Sequence, residues 1–501
     1  MKKIFAFFSL ALLIACSGND RDDDQINITN NPEAGDNAPV QTLSTEINDF
    51  IWEGLNQYYY WQSQVPNLAD TKDDDSNAYI TFLNSIPDNE DFFDSLNHMD
   101  DRFSWIESDY QVLENQLSGI SASNGMEFII YRRCDSCNEL IGLVTYVLPD
   151  SDAAGKNIQR GDWFSAVDGT ELHVNNYRQL LYGNNLTYEI SLVNFDPSSG
   201  DVTPRNETVS LTKVENFQEI PIHKNLVLEQ NGNRIGYLMY NQFVSGFNQE
   251  LIDAFSGFAS QNINELVLDL RYNGGGSVQT CTYLASMITG QFDGEIFAQQ
   301  VWNEKLMAYF NERNTNNDPD DDFNLNNLFT NQTTDGTQLP ALELERIYIL
   351  TTNRSASASE LLINGLAPHI DVIQIGGTTY GKNVGSITLY DYIDNNNPPT
   401  KNPNHRYAMQ PIVLRIANSE GFADYSNGLI PSVELRESGN NMGVLGDPSE
   451  PFLAAALQHI SGAAKAGIQE GPQLESVVDP EWESSSRMFV ENVNVDLKGL
   501  R

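Results

Sequence analysis

The apolar run Ile347-Tyr348-Ile349-Leu350 leads into Ser355-Ala356-Ser357-Ala358-Ser359-Glu360, and that into Leu361-Leu362-Ile363-Asn364-Gly365-Leu366. The first run has the length of a buried strand and the last the composition of a buried helix, so a hydroxyl-rich turn sits between them. A strand that feeds a helix in this way belongs to an α/β domain. Ser357 and Glu360 also fit an S-x-x-E capping box, which explains a helix start without any chemistry. Alone, the stretch admits two readings: a helix cap, or a nucleophile presented at a strand-to-helix turn.

The residues before it repeat the same alternation. Residues 234–240 read as a strand, 248–258 as a helix, 265–270 as a buried strand and 280–288 as the helix after a glycine turn. The turn is Asn273-Gly274-Gly275-Gly276. Glycines there permit positive φ and present N–H groups at a helix start, which suits an oxyanion. A phosphate loop would need a G-K-[ST] ending, which is missing. Downstream, Gly376-Gly377-Thr378-Thr379-Tyr380-Gly381-Lys382-Asn383-Val384-Gly385-Ser386 holds one basic residue, Lys382, among small and apolar groups. A lysine acting as general base must give up its proton, which burial favours. An exposed loop lysine is the alternative.

The remaining chain sets address and modules. Lys2 and Lys3 precede an uncharged run, residues 4–15, which is too short to span a bilayer and reads as a signal peptide. It ends in Leu13-Ile14-Ala15-Cys16, which resembles the bacterial lipobox; that resemblance implies lipidation of Cys16 and a tether in the cell envelope, at the outer membrane on its periplasmic or surface side. Membrane contact is then expected through the N-terminal lipid alone. In an oxidising envelope, Cys134 and Cys137 are expected to close a local disulfide, since no second pair completes a zinc site. Cys281 reads as a buried free thiol. The 28 Lys and Arg against 69 Asp and Glu give a net charge of −41, which repels nucleic acid.

Residues 17–43 read as a flexible acidic linker and 44–115 as a helical N-terminal domain in which Ile47, Ile51, Leu55 and the run Tyr58-Tyr59-Tyr60-Trp61 fall near helical spacing. Residues 116–215 read as a β domain, 216–460 as the α/β core and 461–501 as a tail. In the β domain, Val144–Ala154 followed by Gly161-Asp162-Trp163-Phe164-Ser165-Ala166-Val167-Asp168-Gly169 resembles a PDZ domain. That resemblance implies a groove that binds an extended peptide by strand addition. The acidic insert with Asp318, Asp320, Asp321 and Asp322 lacks the glycine and terminal glutamate of an EF-hand and reads as a solvated loop, so no metal and no cofactor are expected.

Strand-Asp269-Leu270-Arg271-Tyr272-Asn273-Gly274-Gly275-Gly276, then the serine-rich stretch, then Gly376 to Lys382, with a PDZ-like segment ahead, together resemble the S41 serine peptidases, the C-terminal processing peptidases. Asn427-Gly428-Leu429-Ile430-Pro431-Ser432 is similar to that family's late turn. The resemblance implies a multidomain α+β chain: a helical N-terminal module, a PDZ-like β domain and an α/β, ClpP/crotonase-like ββα peptidase core. It also implies a serine endopeptidase acting on unfolded or C-terminally exposed polypeptides. Carried over residue by residue, the resemblance implies Ser357 as the nucleophile and Lys382, 25 residues on, as the base. Ala358 N–H with Gly275 or Gly276 N–H would hold the oxyanion. Many bacterial members have a Gln four residues after the lysine; here Ser386 stands there and becomes the candidate orienting group. A binding lipoprotein with a retired site is the competing reading, fed by Ser386. An acyl-CoA enzyme on the same core is disfavoured by the scarcity of Arg and Lys for phosphates. The oligomeric state is not legible.

Overall fold

Side chains along the strand Arg346–Thr351 alternate between two apolar clusters: Ile347 and Ile349 enter one, Tyr348 and Leu350 the other. Leu266, Leu268 and Leu270 likewise oppose Val267, and Leu238 and Tyr240 oppose Tyr237 and Met239. Apolar residues at both parities are what a strand covered on both faces requires. In the computed structural model these strands form a six-stranded sheet ordered Ile222–Gln230, Asn233–Tyr240, Glu265–Asp269, Arg346–Thr351, Asp371–Gly376 and Val433–Glu434. The first pair is antiparallel and the rest are parallel. Helices Asn248–Ser260, Val278–Thr289 and Ala358–Leu366 cover one face through Phe255, Leu284 and Leu361. Helix Pro451–Ile460 covers the other through Phe452 and Leu453.

The structure describes residues 39–315, 325–394, 396, 398–437, 439, 442–462, 474–477, 479–480, 482 and 488–491. Cys16 and its lipobox, nearly all of the 17–43 linker and the four aspartates of the acidic insert lie outside these residues. A second sheet runs Gly276–Ser277, Met488–Phe489, Val384–Ser386, Ile412–Asn418, Ile296–Trp302, Asn326–Leu328. Its strand Met488–Phe489 comes from the C-terminal tail and lies between the glycine turn and the strand after Lys382.

The N-terminal helix Leu43–Tyr58 starts at a Thr42 cap and buries Ile47, Ile51, Trp52 and Leu55 against Phe92 and Phe93. This module is joined to the core by an antiparallel pairing of Trp105–Glu107 with Ala408–Gln410, and Met409 shares its apolar cluster. The β domain is an antiparallel sheet ordered Met126–Arg132, Leu140–Val147, Trp163–Val167, Thr187–Asp196, Asp201–Thr212, packed on helix Tyr177–Tyr182 through Val144, Phe164 and Leu181. Strand Val214–Gln218 pairs with Ile120–Ser123, so the stretch around residue 215 is a connecting ribbon and not a clean boundary. Cys134 and Cys137 are joined as a disulfide, and Cys281 is a buried free thiol.

Candidate active site

The three serines of the turn have different fates. Ser355 Oγ donates to Leu270 O at 2.7 Å and Ser359 Oγ to Asn273 O at 3.0 Å. Ser357 Oγ is buried and makes no hydrogen bond. Ser357 also has φ 64°, the left-handed region that a side-chain-bearing residue enters only under strain. Half of the capping box is made, since Ser357 N–H donates to Glu360 Oε2 at 2.8 Å, but the hydroxyl is spared. The flanking serines therefore fasten the turn while the central hydroxyl is left unengaged.

Asn273 fixes the two loops on each other. Its carbonyl accepts from Ala356 N–H at 3.1 Å as well as from Ser359, and its Nδ2 donates to Tyr240 O at 2.8 Å. Its Oδ1 accepts from Gly275 N–H at 2.8 Å, so Gly275's amide is engaged within its own turn. Gly276 has φ 133°, and a Cβ there would lie 2.1 Å from Phe243 O. Only glycine fits that approach. Ala358 opens the helix, where the first amides have no intrahelical acceptor.

Beneath the turn, Arg271 has no exposed surface and reaches three carboxylates: Asp269 at 2.6 Å, Glu450 at 2.8 Å and Glu437 at 3.0 Å. Burial pushes the Asp269 carboxyl up, but the adjacent Arg271 charge and hydrogen bonds hold it below the usual carboxylate range. This pairing satisfies charges that would otherwise be costly to bury, and anchors the strand end from which the glycine turn departs.

Glu360 ties the serine-rich turn to the lysine loop. Its Oε2 accepts from Ser357 N–H and Lys382 N–H, each at 2.8 Å, so both backbones meet on one oxygen. Its Oε1 accepts from Thr379 Oγ1 and Gly381 N–H, each at 2.6 Å. Burial raises the Glu360 carboxyl above its usual range, against the pull of these donors. Lys382 is itself buried, its Nζ 4.8 Å from the centre of the Phe103 ring, and Arg102 donates to Gly381 O at 3.2 Å. Both Arg102 and Phe103 belong to the N-terminal module, a contribution that no sequence motif signals. Ser386 Oγ donates to Gln410 Oε1 at 2.7 Å and also lies 3.2 Å from Met488 O. A glutamine thus stands beside Ser386, carried in from strand Ala408–Gln410.

Among comparisons with known proteins, the model of peptidase family S41 matches residues 234–394, and that of the peptidase S41 N-terminal domain matches residues 46–105. A carboxyl-terminal-processing protease of Picosynechococcus sp. is 23% identical over 54% of this chain and 57% of the relative. The chloroplastic carboxyl-terminal-processing peptidase 2 of Arabidopsis thaliana is 25% identical over 48% of this chain and 41% of the relative. The chain thus aligns with about half the length of these curated relatives. A solved structure named for an S41 protease of Bacteroides fragilis NCTC 9343 superposes with TM-score 0.62 at 26% identity, covering 82% of this chain and 97% of that one. The chain therefore carries a stretch matching the peptidase S41 domain, preceded by one matching the peptidase S41 N-terminal domain, on a mixed α/β fold like that of the S41 protease structure.

Proposed function

We propose that the chain is a serine endopeptidase in which Ser357 attacks the scissile carbonyl and Lys382 takes its proton, later returning it to the leaving amine. The observation that carries this is the contrast within the turn: Ser357 alone of the three serines keeps an unengaged, buried hydroxyl on a strained backbone. Glu360 brings the Lys382 loop against that residue, and the Phe103 ring face packs over the lysine's Nζ at 4.8 Å. Ala358 and Gly276 are the proposed oxyanion donors. Orientation of Lys382 is assigned to Glu360 and Phe103 and not to Ser386, whose hydroxyl serves Gln410. The proposed substrates are unfolded or C-terminally exposed polypeptides, engaged by the PDZ-like β domain. Lipidation at Cys16 would hold the enzyme in the cell envelope, with no nucleic-acid partner.

Protein lacking residues 1–16 should cleave an unstructured protein in a gel assay. Ser357→Ala and Lys382→Ala should each abolish cleavage. Ser359→Ala, which loses one bond to Asn273, should retain it at reduced rate. Cleavage that survives Ser357→Ala would sink the assignment, whereas tight binding of peptide termini with no turnover would establish the binding reading.

A further inference from the structure

The strand Met126–Arg132 borders the β domain's sheet, and the chain's own C-terminal segment pairs with its outer edge. Arg132 N–H donates to Glu475 O at 2.8 Å and Val477 N–H donates to Ile130 O at 2.9 Å, with an antiparallel bridge between Tyr131 and Ser476. Arg132 Nε adds an ion pair to Glu475 at 3.1 Å. Val477 packs against the apolar cluster that holds Phe128 on this strand and Leu180 and Tyr182 on the neighbouring helix. Alternating main-chain bonds with an apolar side chain sunk between strand and helix is the way an extended peptide is bound by strand addition.

Two residues further on, the same segment reaches the site. Asp479 pairs with Arg354 at 2.9 Å, and Trp482 Nε1 donates to Arg354 O at 3.3 Å. The Trp482 ring stands edge-on to Tyr380, centroids 4.9 Å apart. Arg354 is three residues before Ser357, and Tyr380 two before Lys382. Two clefts, of 320 and 840 Å³, both border Arg354; Leu474 and Ser476 line the first, Asp479 and Trp482 the second.

Resting on the peptidase reading above, we propose that residues 474–477, 479, 480 and 482 are a built-in pseudosubstrate: they occupy the strand edge and the approach to Ser357 that an unfolded polypeptide must take, and substrate has to displace them. Being part of the same chain, the segment competes at a high effective concentration, so the resting enzyme is largely occluded. Apparent substrate affinity is reduced by the fraction of molecules in which the edge is vacant. Selectivity follows, because only a polypeptide long and extended enough to pair with the edge and reach Arg354 opens the site.

The test uses the full mature chain with Val477→Asp and Trp482→Ala combined, which loosen the segment but leave the strand Met488–Phe489 in place. The kcat/KM against an unstructured protein should rise about tenfold, the scale on which freeing a mostly occluded site acts. A synthetic peptide of residues 474–482 should then inhibit the variant competitively. Independently of catalysis, the Arg132 amide should be protected from hydrogen exchange in the unaltered chain, exposed in the variant and protected again when the peptide is added. An exposed Arg132 amide in the unaltered chain overturns the proposal. So does a variant with that amide exposed and kcat/KM no higher. If the variant does not fold, Val477→Ala read by the same exchange and inhibition assays decides the matter. Should no form cleave any substrate while the peptide still restores Arg132 protection, occupancy of the edge stands and the peptidase reading falls.

Discussion

Glu360 carries more of the site than its place in a capping box suggests. Four donors converge on its carboxylate, Ser357 N–H from the serine turn and Thr379 Oγ1, Gly381 N–H and Lys382 N–H from the lysine loop. Glu360→Gln keeps the volume but replaces one oxygen by an NH2 that faces donors, so two buried hydrogen bonds become repulsive contacts. The expected result is a drop in kcat of roughly 10²-fold, the usual cost of a small displacement between reacting groups, with KM little changed. Stopped-flow or steady-state kinetics on a peptide reporter check this. A Gln variant with unaltered kcat would show that the two loops hold their relation without Glu360. The sequence made Ser357, Lys382 and the glycine turn legible because each is a local pattern of small residues at an element end. It also placed Glu360 three residues after Ser357, but in the role of a cap. What local pattern could not supply is that its second oxygen reaches Thr379 and Gly381, since that contact depends on how two distant loops fold onto each other.

The strand Met488–Phe489 shows the same limit one scale up. Strands in the six-stranded sheet were legible from continuous apolar runs such as residues 266–268 and 347–350, because burial on both faces leaves a strong local signal. A two-residue strand leaves almost none. Yet it sits between Gly276–Ser277 and Val384–Ser386, and so bridges the glycine turn to the strand after Lys382. Val490 N–H donates to Ser386 O at 3.0 Å, and Ser277 Oγ donates to Glu491 Oε2 at 2.6 Å, while Met488 is fully buried in the main core. A chain ending at residue 486 keeps the 474–482 segment but loses this bridge. Activity should fall by at least about tenfold through misplacement of both loops. The melting temperature should fall as well, since a buried methionine and several ladder bonds are lost. Glu491→Ala, which removes the bond to Ser277 alone, should give a smaller loss in the same assay. Full activity in the truncated chain would show that the turn and the lysine strand need no third strand between them.

At the scale of the molecule, Arg160 adds a buried polar tie between the β domain and the core beside the apolar contacts of Ile129, Tyr146 and Leu148. Arg160 is 9% exposed and donates to Glu437 at 2.6 Å, to Tyr272 Oη at 2.6 Å and to Met442 O, all from the core, and also to Thr145 O within its own domain. Its partner Glu437 is shared with Arg271, so the network that joins the domains is continuous with the one anchoring the glycine turn. Burial raises Glu437, but Arg160 and Arg271 together outweigh it and keep its carboxyl below the usual range. Arg160→Met leaves Tyr272 and Glu437 short of a donor at a site where water is largely excluded. Cutting one partner from such a buried pair costs about 3–5 kcal/mol. Because Arg271 still pairs with Glu437, the loss should fall on the contact between domains more than on the core itself. The variant should therefore show faster hydrogen exchange in residues 119–212 and a larger radius of gyration by small-angle scattering, with the core's exchange little altered. On the proposed reading, in which a longer substrate pairs with the β domain's edge, it should also change activity toward unfolded protein more than toward a short peptide. Equal effects on both substrates would mean that Arg160 acts on the glycine turn through Glu437, and not on the placement of the domain.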